Sequence, residues 1–169
     1  MVLYLLDTNI YISFYERYYP IKYFPSFWKQ ITPILNNNVV IPDIVVNETI
    51  QSEWFIKDYL SKSYQHAFID HRNYSNDWSE VLSYIAESDC YKEEALTSDR
   101  AWTHERIADG WIIAIAKNKG LTIVTDERHN QTLSRSHPSR NPKIPDIADN
   151  FHVPCISRLE FFDKVGLVI

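Results

Sequence analysis

Hydrophobic positions in this chain cluster in short unbroken runs, set between longer amphipathic or polar stretches. Val2-Leu3-Tyr4-Leu5-Leu6 is the first run, and it ends abruptly in Asp7-Thr8-Asn9. A short continuous apolar run fits a strand buried on both faces, as in a parallel sheet. Ile10 to Tyr15 supplies the first helix turns, and Glu16-Arg17-Tyr18-Tyr19-Pro20 breaks the pattern. A second helix opens at Phe24-Pro25-Ser26-Phe27-Trp28, with Ser26 as its cap, and ends near Asn36-Asn37-Asn38. Val39-Val40-Ile41 is β-branched and reads as a strand. Pro42-Asp43 then starts a helix carrying Ile44, Val45 and Glu48. Residues 52–102 are polar, aromatic and mostly helical in composition; residues 73–77 form a turn before a helix that begins at Trp78.

The clearest helical pattern runs from Ile107 to Lys119, where Ile107, Trp111, Ile115 and alanines 108, 114 and 116 make a wide apolar face. Gly120 is placed to cap it. Leu121 to Val124 is another short strand, closed by Thr125-Asp126-Glu127. A polar loop over 128–145 follows, then a short helix led by Ile144-Pro145-Asp146-Ile147-Ala148. Val153-Pro154-Cys155-Ile156 is the last strand, and Ser157 starts the closing helix. This alternation predicts an α/β sandwich with a mainly parallel sheet. With no repeat, low-complexity tract or linker, residues 1–169 read as a single domain.

Composition narrows the function classes. Only 3 of the 169 residues are Gly, and neither GxGxxG nor a Walker-type GxxxxGK occurs, which argues against a glycine-loop phosphate site. The formal net charge of -5 is not that of an obvious nucleic-acid binder, unless bound cations reverse the local field. Cys90 and Cys155 lie far apart with no Cys or His at metal spacing, so a zinc knot is not expected. Two thiols suit a reduced cytoplasm, with one disulfide left open. The first apolar run is too short for a signal peptide, and none is long enough to span a membrane.

Open parallel sheets bind ligands outside the carboxyl ends of their strands, which puts Asp7 at the mouth of a crevice. The plain alternative is that Asp7 only caps the following helix. Later segments bring further carboxylates to the same context. Glu48 lies in the helix after the second strand. Asp109 begins the apolar helix before the third, and Asp126-Glu127 follows that strand. Asp109 also suits the helix dipole, but its small neighbours Ala108 and Gly110 leave room above it for a ligand. Four converging carboxylates repel one another unless cations neutralise them. Hard ions such as Mg²⁺ or Mn²⁺ take oxygen ligands, and such a site suits phosphodiester hydrolysis.

These motifs, taken in order, resemble the PIN domain: Leu5-Leu6-Asp7-Thr8-Asn9, then Glu48, then Ala108-Asp109-Gly110-Trp111-Ile112-Ile113-Ala114, then Ile123-Val124-Thr125-Asp126-Glu127. Residues 17–20, 25–28 and 143–146 are similar to a less characterised microbial branch of PIN-like proteins. The resemblance covers most of the chain. It implies a three-layer sandwich around a parallel sheet, Mg²⁺ or Mn²⁺ as cofactor, and ribonuclease activity, often as a VapC-type toxin paired with an antitoxin. By position, Asp7, Glu48 and Asp109 match the metal-holding acidic triad, and Thr8 and Asn9 match its supporting polar residues. The usual fourth motif is Thr, any residue, then Asp. Counting from Thr125 puts Glu127 in the fourth place, with Asp126 as the alternative.

Further residues bear on the partner. Arg128, Arg135, Arg140 and Lys143 lie in a loop that also carries His129 and His137. It is either a solvated loop or a strip for RNA phosphates. Arg17 with Tyr15, Tyr18 and Tyr19 is a second RNA candidate, or a cover for the core edge. His66, Asp70 and His71 have a helical spacing that suits either a metal or a solvated helix face. No GxSxG nucleophile motif occurs. The leading expectation is a metal-dependent endoribonuclease acting on RNA, the toxin of a toxin–antitoxin pair. The alternatives are a catalytically silent module binding RNA or a protein, and a haloacid-dehalogenase-type phosphatase. The last needs a second Asp where Asn9 stands. Whether the chain forms a homodimer is open in the sequence.

Overall fold

The computed structural model describes residues 2–49 and 52–169. Strand β1 (Tyr4–Leu6) is buried along its whole length and turns directly into helix α1 (Thr8–Ile12). The helical path does not stop at Tyr15. It continues as a π-helical segment over Ser13–Tyr18, with Glu16 and Arg17 exposed.

Helix α2 spans Pro25–Asn38. Pro25 takes the first helical position, where its missing N–H costs nothing. The cap therefore falls on Phe24, and Ser26 lies inside the first turn rather than capping it. The expected strand at Val39–Ile41 is reduced to one parallel bridge, Tyr4 to Val39, with the Val40 amide donating to the Tyr4 carbonyl at 2.9 Å. Pro42 follows at once and has no N–H to extend a ladder. It leads into helix α3 (Asp43–Glu48).

A π-helical segment, Trp54–Leu60, runs into the single turn α4 (Ser61–Ser63). A 3₁₀ turn, His71–Tyr74, leads into α5 (Ser75–Glu87), so this helix starts three residues before Trp78. After α6 (Glu94–Thr97) comes α7 (Ala108–Lys119), buried at Ala108 and from Gly110 through Ala116. Gly120 closes α7 in the left-handed region at φ 65°, where a side chain would be strained.

Strand β2 (Thr122–Val124), helix α8 (Ile144–Asn150), strand β3 (Cys155–Ile156) and helix α9 (Arg158–Val165) complete the chain. Ser157 caps α9 in a reciprocal box with Glu160: each backbone N–H donates to the other's side chain, at 3.3 and 2.8 Å.

The sheet is parallel and ordered β1-β2-β3, so the fold is mixed α/β. Leu5 pairs with Ile123, and Ile123 with Cys155. Both cysteines are free thiols. Among the described residues no helix is long and apolar enough to cross a membrane.

An aromatic cluster locks the first helical segment to the last helix. Phe14 meets Phe27 at 5.0 Å and Phe162 at 5.8 Å between ring centroids. Tyr19 stacks on Phe27 at 4.1 Å, and Tyr4 meets Phe161 edge-on at 5.1 Å. Phe14 is fully buried, and truncating a ring in such a packed site leaves a cavity. Phe14→Ala should cost about 3–5 kcal/mol of unfolding free energy, measured by urea denaturation; a loss under about 1 kcal/mol would mean the cluster does not hold these segments.

Candidate metal centre

The parallel register fixes where the acids stand. Asp7 follows β1 and its amide donates to the Val124 carbonyl of β2 at 2.9 Å. Thr125, the next residue after β2, donates its hydroxyl to Asp7 Oδ2 at 3.1 Å and accepts the Glu127 amide at 3.1 Å. Both segments thus end side by side at the carboxyl edge of the sheet. Asp7 holds the N-cap position of α1, yet its side chain makes no capping bond there. Its Oδ1 is sealed from solvent with no hydrogen-bond partner.

Glu48 ties the other segments to this edge. One carboxylate oxygen accepts the Thr8 hydroxyl at 2.5 Å, and the other accepts the Ala108 amide at 2.9 Å. Those donors neighbour Asp7 and Asp109. A single side chain at the end of α3 therefore joins the start of α1 to the start of α7.

The charges act on one another. Burial, and then the charge of Glu127, push Asp7 from 3.8 up to about 7. Burial also holds Asp109 well above the ordinary carboxylate range, with the charges of Asp7, Glu127 and Glu48 adding to it. Asp7, Glu48, Asp109 and Glu127, the four acids expected from the sequence, thus lie near enough for their charges to act on Asp7 and Asp109.

Asp126 is not among them. It is exposed, accepts the Arg158 amide at 3.1 Å and pairs with that guanidinium at 3.6 Å. Alternation of side chains past a strand end sends neighbours opposite ways, so only one of the two can face the centre. Glu127 is fixed by the Ile144 amide at 2.8 Å and by Lys143 at 3.7 Å.

Of the supporting residues, Thr8 and Thr125 bond directly to the acids, while Asn9 is exposed. Asp109 is half-buried, and its small neighbour Gly110 is packed on its own side. A Cβ on Gly110 would lie 3.1 Å from Trp78 Nε1, and Trp78 stacks flat on Trp111 at 4.3 Å.

The basic positions are less concentrated than the sequence suggests. Arg128 lines an open cleft of about 660 Å³ beside Glu127. Lys143 is spent on Glu127, Arg135 pairs with Asp89 at 3.4 Å, and Arg17 and Arg140 are exposed. His129 sits between Asp146 and Asp149 at 2.7 and 3.6 Å. The same cleft holds a cation the sequence did not single out: Arg158, whose guanidinium lies 4.1 Å from the Tyr18 ring. No sequence pattern signalled it, because Tyr18 and Arg158 meet only in the fold.

The triplet His66, Asp70 and His71 does not form on a helix, since the 3₁₀ turn begins only at His71. His66 bonds the Asn36 carbonyl instead, at 2.8 Å. Asp70 and His71 do lie with Asp43, their ligand-type atoms all within 4.8 Å of one another. Internal partners engage them: Arg72 takes both Asp70 oxygens, and His71 takes Asp43.

A family model described as a domain of unknown function, DUF4411, matches residues 4–169. No curated protein and no solved structure matches the chain.

The raised acids give a pH signature. Between 3.8 and about 7 the folded protein keeps a proton on Asp7 that the unfolded chain has released. The stability this group contributes is therefore fully present at acid pH and lost as pH rises through that window. In the absence of divalent metal, Asp7→Asn should gain on the wild type as pH goes from 5 to 8, by a few kcal/mol at about 1.4 kcal/mol per unit of displacement. Thermal melting checks this; a difference that does not change with pH would mean that Asp7 is ionised throughout.

Proposed function

The chain belongs to the DUF4411 family, and we propose that it is a metal-dependent endoribonuclease built as a PIN-like three-layer sandwich. The observation that carries this reading is a buried carboxylate oxygen, Asp7 Oδ1, with no partner, on a side chain that feels the charges of Glu127 and Glu48 and acts on Asp109. An unpaired acceptor in a cluster of like charges is costly in a bare protein. A hard divalent cation removes both costs, because it takes oxygen ligands and carries opposite charge. The donor set is all carboxylate, which suits Mg²⁺ or Mn²⁺ rather than zinc.

Asp7, Glu48 and Asp109 would hold the ion, with Glu127 at the fourth place, directly or through water. A bound divalent ion supplies an activated water and steadies the charge of an in-line phosphoryl displacement. The chain's own contribution is orientation. Thr125 leaves Asp7 Oδ1 as the free oxygen, Thr8 and the Ala108 amide fix Glu48, and the Ile144 amide fixes Glu127. The RNA strand would run from the acids into the cleft lined by Arg128 and Arg158. Within this reading the protein acts as the toxin of a toxin–antitoxin pair in the cytoplasm, and an antitoxin is the protein partner.

Purified protein with Mn²⁺ should cut a pool of structured RNAs. Chelation should stop the cutting and fresh metal restore it, while Asp7→Asn should abolish it and leave the fold intact. An RNA-binding protein that cuts nothing, with or without metal, would instead be a silent binding module. Cleavage of phosphomonoesters in place of RNA would point to a phosphatase. Arg128→Ala should weaken RNA binding alike across sequences and make the salt dependence shallower by about one unit of slope; an unchanged slope would remove Arg128 from the RNA path.

A further inference from the structure

The geometry points to His71 as a second catalytic group of this centre, a proton donor to the leaving oxygen, held in place by Asp43. The inference rests on the nuclease reading above and adds a residue that no acidic motif contains.

Asp43 Oδ1 accepts two bonds from the same residue, the His71 amide at 3.0 Å and the ring Nδ1 at 2.7 Å. This double anchor fixes the ring's tautomer and orientation, with Nδ1–H donated to the carboxylate. A third constraint comes from the side: the imidazole meets the Trp111 ring edge-on at 4.7 Å, and Trp111 is itself stacked on Trp78. The His71 side chain is only 13% exposed. What remains open is Nε2, which has no hydrogen-bond partner among the described residues and is not sealed from solvent.

The side of the fold that His71 opens onto is informative. It lines an open cleft of about 470 Å³ together with Glu48 and Arg106. Helix α3 carries Asp43 at its start and Glu48 at its end, so one short helix presents both the metal-holding acid and the anchor of the histidine. The ion-holding acid and the anchor of the imidazole then share one rigid element, which suits a positioned proton donor.

The step balances as follows. Water attacks phosphorus and gives its proton to solvent. The bond from phosphorus to the leaving ribose oxygen breaks, with the electron pair staying on that oxygen. The proton on His71 Nε2 passes to it and yields a hydroxyl, while Nδ1–H stays with Asp43. Solvent then reprotonates Nε2. Asp43 touches no substrate in this scheme; it is a positioning residue.

Single-turnover RNA cleavage in saturating Mn²⁺ tests this, with His71→Ala and His71→Asn compared with the wild type. The Asn variant keeps an amide N–H for Asp43 but has no Nε2, so it should melt with the wild type. Both variants should lose roughly 100-fold or more in rate with KM nearly unchanged. Added imidazole should restore part of the rate to His71→Ala and none to Asp7→Asn. Wild-type rates in either variant would overturn the proposal and leave the nuclease reading standing. So would a loss that imidazole does not rescue, accompanied by a lower melting temperature, since that marks a structural role. A wild-type protein that cuts no RNA would overturn both.

Discussion

The burial of carboxylates beside one another is the constraint around which this molecule is arranged. Asp7 and Asp109 are both pushed toward their neutral forms by burial and by neighbouring acids. Among the described residues no lysine or arginine pairs with either of them; Lys143 pairs with Glu127, at 3.7 Å. Like charges separate when the backbone lets them, so the elements that carry them must be held from outside. The parallel register pins Asp7 beside Thr125, and Glu48 straps the first turns of α1 and α7 together. Behind these stand helix α7, buried from Gly110 through Ala116, and a ring of interlocked aromatics.

The parts of the fold legible in the sequence were those decided locally. The apolar run of β1, the face of α7, the Gly120 cap and the Ser157 cap each depend on residues within a few positions; α7 and both caps form at or within a residue of the expected place, and β1 covers the last three residues of its run. Competition between local signals blurred the rest. Ser26 is a good cap by type, but Pro25 claims the first helical position and moves the cap to Phe24. Val39–Ile41 has strand chemistry, but Pro42 ends it before a ladder can grow. The π-helical segments at Ser13–Tyr18 and Trp54–Leu60 have no periodicity that separates them from ordinary helix.

The candidate site divides along the same line. Asp7, Glu48, Asp109 and Glu127 could be named because each sits beside a strand or helix end that the sequence marks. The choice of Glu127 over Asp126 could not be made until Arg158, 32 residues on, was seen to take Asp126. The pairing of Asp43 with His71 spans 28 residues and crosses an irregular stretch, so spacing arguments looked to His66 instead. Pairs of this kind are created by tertiary approach, which leaves no local trace in composition.

The parallel indoles of Trp78 and Trp111 give the protein an optical property of its own. Stacked at 4.3 Å with their planes 2° apart, they lie against Gly110, one residue from Asp109. Two chromophores so close share their electronic excitation, and the sign and size of the resulting near-ultraviolet dichroism depend on the angle between them. Any movement of the first turn of α7 changes that angle. The aromatic buttress behind the acids is therefore a built-in reporter, one that signals displacement of Asp109 without a label and without any turnover of substrate.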